Sequence, residues 1–272
     1  MSKKRIALLL AAALLLATLS GCARKEEPAF LGPGAGQSDL EYVRAKGTLA
    51  VGVTEFAPIQ YREDGAWTGF DAELVSGFAE SLGVAVDFVE INWDDKTKLL
   101  ETGAIDCLWN GMTMTEELQR VISCTNPYLS NGEVAVFRER DVGLYQTVEA
   151  CSHVLFAVEA GSTGEALLKE LRYRYTPYDS QLEALRSVSA RQADAAVIDL
   201  VMANYYTGAG HEFPDLDFSL LLIDEKSCAG FRRDSDLTQA ANDYLRAAYE
   251  SGTIQELAGR YGIEDAVLEH GE

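Results

Sequence analysis

Short apolar runs alternate with helical stripes along most of this chain, and that alternation constrains the fold more than any other feature. Residues 48–53 (TLAVGV) read as a compact strand. Residues 71–82 place Leu74, Val75, Phe78, Ala79 and Leu82 on one helical face, closed by Gly83. A strand is expected over 84–91, a helix over 96–102 ending at Gly103, a strand over 105–110 and a helix from Glu116. Ahead of them, 39–46 reads as a short helix closed by Gly47. Residues 132–137 then break the rhythm as a long extended segment leaving this unit. A second unit follows: strand 154–159, turn 161–164, helices 165–172 and 182–193, strand 194–199 and helix 200–206. Extended segments at 220–224 and 227–231 lead into a helical stretch over 236–261, interrupted at Gly252. Strands alternating with helices imply an α/β fold with parallel sheets covered on both faces. Ligands in such sheets sit beyond the carboxyl ends of the strands, so a cleft between the two units is the expected site.

The first residues speak to compartment. Lys3, Lys4 and Arg5 precede an apolar run over 6–18, and Leu19-Ser20-Gly21-Cys22 follows. That is the layout of a secretory signal peptide ending in a lipobox, with cleavage expected before Cys22 and a diacylglycerol on its thiol. The run is short of the roughly 20 residues that span a bilayer, so a transmembrane anchor is the weaker reading. Signal peptide is thus expected over 1–21 and a lipidated cysteine with a charged, Pro- and Gly-containing tether over 22–38. The expected location is the extracytoplasmic face of the cell membrane, held by lipid.

Formal charge is −20, and loss of the three n-region cations makes the mature form −23. A body that acidic repels nucleic acid and anionic lipid, so neither is an expected partner. Of the five cysteines, Cys107, Cys124, Cys151 and Cys228 remain after lipidation and show no CxxC spacing. Three disulfide pairings are open to them, as is a role as small buried hydrophobes. His153, His211 and His270 lack metal-ligand spacing, and no HExxH, GxSxG, P-loop or GxGxxG follows a strand. No catalytic group, metal or cofactor is therefore expected.

Read in order, lipobox, tether, GTLAVGV, GxxTGFDAEL and DCLWNGMTMT resemble the family 3 extracellular solute-binding proteins, the polar amino-acid receptors of ABC importers. Further pieces are Asn126-Pro127-Tyr128, Gly161-Ser162-Thr163-Gly164, the run 194–199 (DAAVID), Gly230-Phe231-Arg232-Arg233 and Ser251-Gly252-Thr253. The resemblance implies a type II periplasmic-binding-protein-like fold: two α/β lobes joined by two hinge strands and closing like a clamp. Lobe one would comprise 39–131 plus 226–263 and lobe two 132–225, with 264–272 as a tail. The crossing strands would be 133–137 and 227–231. A monomer is implied, with a small polar solute and an importer permease as partners.

The same resemblance implies the site. Phe56 and Trp93, after the first and second strands, stand at aromatic clamp positions, where ring faces hold a side chain and favour a cation. Asn110, Gly111 and Thr113 follow the third strand at positions that grip α-amino and carboxylate groups, while Thr115 reads as the cap of the next helix. Ser162 and Thr163 open a helix whose free N–H groups suit an anion, or form a plain capped turn. Asp199 pairs with an ammonium, caps the following helix, or both.

One position departs from the family. Leu118 stands where the family carries an arginine that forks the ligand's α-carboxylate. Arg120, two residues on, lies about 200° around the helix. Loss of such a contact corresponds to about 1.5–3 kcal/mol, roughly 10- to 150-fold in affinity. Either the helix start at Ser162 and Thr163 carries the carboxylate alone, or the ligand has none there. With Glu55 and Asp199 nearby in the pattern, a cationic or neutral ligand is favoured over an acidic one. Two other functions fit the same pattern: an enzyme resembling the cyclohexadienyl or arogenate dehydratases, and a ligand sensor without transport.

Overall fold

A computed structural model describes residues 30–269. The expected signal peptide, Cys22 with the first part of the expected tether, and His270 lie outside the described residues. Local sequence accounts for most helix boundaries. Ser38, Thr115, Ser162 and Ser180 each accept a hydrogen bond from the N–H three residues on. This satisfies one of the donors that a helix start leaves unpaired. These caps begin α1 (Asp39–Lys46), α4 (Glu116–Val121), α5 (Thr163–Leu171) and α6 (Gln181–Ser189). Helix α1 ends at Gly47, and α2 (Phe70–Leu82) ends at Gly83, as expected.

The first sheet has the order β4-β1-β5-β12-β6. Its centre, β1 (Thr48–Val53), runs parallel to β4 (Ala85–Glu90) and β5 (Cys107–Leu108). The antiparallel β12 (Gly230–Phe231) and β6 (Ser123–Cys124) complete it. Helices α2, α3 (Lys96–Glu101), α8 (Leu237–Glu250) and α9 (Thr253–Tyr261) belong to this lobe. The buried face of α2, with Leu74, Val75 and Phe78, joins Leu245 and Leu257 in one core. The expected strand over 105–110 pairs only at Cys107–Leu108, because residues 110–113 turn away into the cleft. A small hairpin, β2 (Tyr61–Glu63) and β3 (Ala66–Thr68), was absent from the sequence reading.

The second sheet has the order β11-β7-β10-β8-β9. Here β8 (Leu155–Glu159) is parallel to β9 (Arg174–Tyr178) and β10 (Ala195–Asp199), which leads into α7 (Leu200–Tyr206). The expected helix over 182–193 stops at Ser189, and 190–194 turns into β10.

The lobes are joined by β7 (Leu129–Arg138) and β11 (Leu216–Ser227), paired antiparallel from Leu129↔Ser227 to Leu216↔Arg138. Five positions before β7 begins the chain is in β6, and three after β11 ends it is in β12, so both passages between sheets run side by side. The second passage is therefore the end of a twelve-residue strand, with 230–231 already inside the first sheet. Val267 bridges to Leu129, and the Leu268 N–H donates to the Tyr128 carbonyl (3.0 Å), so the described part of the expected tail is bound at this crossing. All four cysteines among the described residues are free thiols, and Cys107, Cys151 and Cys228 are buried.

Candidate ligand-binding cleft

Between the two sheets lies a cavity of ≈ 420 Å³. Its walls follow the carboxyl ends of β1, β4 and β5 on one side and β8 and β10 on the other, where an α/β sheet leaves room for a ligand. All eight residues expected at the site line it: Phe56, Trp93, Asn110, Gly111, Thr113, Ser162, Thr163 and Asp199. Glu55 does not.

On the first lobe, the loop after β5 is held by a buried carboxylate. Asp71 accepts the Gly111 N–H (2.6 Å) and the Tyr128 hydroxyl (2.8 Å). Burial pushes its pKa up to about 7 against those two donors. Gly111 has φ 62°, and a Cβ there would lie 2.5 Å from the Phe56 ring, so the position admits little but glycine. The Asn110 amide donates to the Thr54 hydroxyl (2.9 Å). The Cys228 N–H donates to the Met112 carbonyl (2.9 Å) and the Met114 N–H to the Lys226 carbonyl (2.8 Å), tying this loop to the end of β11. Thr115 caps α4 as expected, and Leu118 lines the cavity. Arg120 points away, paired with Glu116 at 3.1 Å on the exposed face.

The second lobe contributes acids. Glu133, in β7, is buried, and its carboxylate accepts the Gly164 N–H (2.7 Å) and the Thr163 hydroxyl (3.1 Å). The Ser162 hydroxyl accepts the Glu165 N–H at 3.1 Å. The helix start expected to receive a ligand carboxylate thus receives one from the protein. Asp199 makes no capping bond to α7. Its oxygens accept from the side-chain amides of Asn131 and Gln181, and its N–H donates to the Gln181 side-chain carbonyl (2.9 Å). Of the two roles open to Asp199 in the sequence, the cap is therefore not formed.

Glu159 also lines the cavity, and Glu225 lies behind Thr113, whose hydroxyl it accepts (2.8 Å). Burial and then mutual repulsion raise these acids: Asp199 to about 7, Glu159 to about 8, and Glu133 well above the usual carboxylate range. Burial also raises Glu225. The lining cation is Lys96, which donates to the Trp93 carbonyl (3.2 Å) and, across the cleft, to the Gly161 carbonyl (2.8 Å). Burial lowers its pKa, opposed by Glu159 and other carboxylates. Gly161, at φ 74°, brings the lobes close: a Cβ there would lie 2.7 Å from the Asp94 Cα.

A match to the profile of the bacterial extracellular solute-binding proteins, family 3, spans residues 49–264. The chain belongs to that family. It is similar to the arginine-binding extracellular protein ArtP of Bacillus subtilis (strain 168), 24% identical over 264 residues, covering 95% of this chain and 98% of that one. It is also similar to a family member that is an enzyme, the cyclohexadienyl dehydratase of Pseudomonas aeruginosa, 25% identical over 236 residues with 82% and 85% covered. Among solved structures, the P235GK mutant of ArgBP from T. maritima superposes with a TM-score of 0.78 at 29% identity, covering 82% of this chain and 98% of that chain. The two-lobed fold follows from membership, and the binding proteins among its relatives support a solute-binding role. Among the described residues no helix is long and apolar enough to cross a membrane, and no group of His, Cys, Asp and Glu is placed to hold a metal.

Lys96, Glu133, Glu159 and Gln181 escaped the sequence reading. Glu159 carried a usable signal, since it ends its strand as Asp199 does. So did Glu133, a charge inside an otherwise apolar strand (EVAVF).

Proposed function

We propose that this chain is the substrate-binding lipoprotein of an ABC importer, capturing an amino acid or similar small polar solute between its lobes and delivering it to the permease. The observation that carries this reading is a cavity walled by both lobes and spanned by a paired two-strand hinge. A solute touching both walls stabilises the closed arrangement by the difference of its affinities for the closed and open states, and the permease reads that state. The loop 112–114, bonded to the end of β11, connects ligand contact to the hinge. Lobe one would comprise 39–131 and 226–263, and lobe two 132–225. A diacylglycerol on Cys22 would hold the protein at the extracytoplasmic face.

The test is a thermal-shift screen of the purified chain against amino acids, oligopeptides, amines and carboxylates. A ligand that binds only the folded state raises the melting point in proportion to ln(1 + [L]/Kd). At least one class is expected to give a saturable shift, and a flat response to every class would sink the receptor reading. Metabolic labelling with a fatty acid is expected to mark the wild-type protein but not Cys22→Ser. A dehydratase reading draws on the Pseudomonas relative and on carboxyls held protonated near neutral pH, which can serve as general acids. An acidic substrate, however, would enter a space lined by four acidic side chains, whose ionisation it would oppose, with Lys96 already engaged by two backbone carbonyls. Incubation with prephenate and arogenate is expected to yield no aromatic product.

A further inference from the structure

We propose that the cleft selects an organic cation without a free carboxylate, an amine or guanidine with a positive group at each end, over a complete α-amino acid. This deepens the receptor reading and rests on it.

The first support is where a carboxylate could go. It needs N–H donors or a cation that the protein does not already use. At the start of α5 the Gly164 N–H is taken by Glu133, the Glu165 N–H by the Ser162 hydroxyl and the Ala166 N–H by the Ser162 carbonyl. On α4 the inward position is Leu118, and Arg120 is paired outside with Glu116. Lys96 spends its ammonium on two carbonyls, one in each lobe. A ligand carboxylate would meet a hydrocarbon side chain at α4 and, at α5, the Glu133 carboxyl already seated on the helix start.

The second support is what the cavity lacks. Among the described residues, Glu117, Glu133, Glu159 and Asp199 line it against one cation, Lys96. Just behind the wall, Glu225 is buried, and its Oε1 finds no hydrogen-bond partner among the described residues. An amino acid brings one negative charge with its ammonium, whereas a dication answers the surplus without adding to it. Trp93 and Phe56 supply ring faces suited to alkylammonium or guanidinium groups.

The experiment is calorimetric titration of the full chain with two pairs that differ only by the carboxylate: arginine against agmatine, and lysine against cadaverine. The decarboxylated member of at least one pair is expected to bind more tightly by about tenfold or more. Tighter binding of the parent amino acid in both pairs would overturn the inference and leave the receptor reading intact. Binding by none of the four, with a shift from some other solute in the wider screen, would overturn it in the same way. A flat wider screen would remove the receptor reading first. A converse test installs what is missing. Leu118→Arg with Glu133→Gln is expected to move the preference toward the amino acid by about tenfold. An unchanged preference in a variant with native circular dichroism would overturn the roles assigned here. Leu118→Arg alone, at a position half-buried on the cavity wall, reads the same shift where the double variant fails to fold.

Discussion

The first lobe faces the cavity with Phe56, Trp93, Asn110, Thr113 and Leu118, and the second faces it with Glu133, Glu159, Gln181 and Asp199. Each lobe buries carboxylates, but they are treated differently. Asp71, in the first, is enclosed by donors from its own lobe, the Gly111 N–H and the Tyr128 hydroxyl, and does not reach the cavity. The acids of the second lobe line the cavity and repel one another. A buried acid whose hydrogen bonds are closed within the fold organises backbone, here the loop that carries Gly111. Acids that share one space without a free cation organise a demand for a ligand.

The largest expected effect on this contrast comes from Asp199→Ala. Removing one partner of a desolvated charge pair costs about 2–5 kcal/mol, so titration should show affinity for the cationic ligand falling at least about 30-fold. The melting point without ligand should change less than the affinity does, since loss of an acceptor for the Asn131 and Gln181 amides is offset in part by relief of repulsion from Glu225. Asp71→Ala, away from the cavity lining, should act chiefly on stability. It leaves the buried Gly111 N–H and Tyr128 hydroxyl unsatisfied at about 1–3 kcal/mol each, and chemical denaturation should register that loss. Equal binding losses in the two variants would break the distinction between the walls.

The pH dependence sharpens the comparison next. Asp199 and Glu159 titrate near 3.8 and 4.5 when unperturbed, and at about 7 and about 8 in the fold. Between those values the folded chain holds protons that the unfolded chain has released. Their stabilising contribution is present in full below about pH 4 and is lost as pH rises through 7 to 8. Asp71, raised to about 7, adds to the same trend. The melting point without ligand should therefore fall across that range, while affinity for a dication rises as the carboxylates ionise. Glu133, Glu117 and Lys96 line the same space and Glu225 lies just behind it; the raised Glu133 and Glu225 and the lowered Lys96 broaden the transition. Affinity that weakens with rising pH would contradict the assignment. The smallest effect is expected from Trp93→Leu: loss of a ring face near a cation is worth about 0.5–2 kcal/mol, roughly 2- to 30-fold in Kd by titration.

Much of this was legible in the chain. Strand and helix spacing located both α/β units, and capping residues set helix starts to within two residues. The eight expected site residues all reach the cavity because each follows or ends a strand whose carboxyl end faces the cleft. The hairpin 61–68 and the edge strand Arg174–Tyr178 were not legible, since short or half-exposed strands carry weak alternation. Lys96 stands at a helix start with nothing local to mark it, and its ammonium is engaged by Trp93 of its own lobe and by Gly161 across the cleft.

Sequence by itself determined the alternating α/β pattern, the capped helices, the Leu118 departure and the acidic character of the chain, because these depend on neighbours a few residues away. Tertiary structure alone decided which acid meets which donor. Glu133 and Gly164 are 31 residues apart in the chain. They meet because antiparallel pairing of β7 with β10 sets Glu133 opposite Asp199 while β8, parallel to β10, delivers α5 to the same point. That pairing turns a helix start suited to an anion into one already filled, and it leaves the cleft calling for a cation.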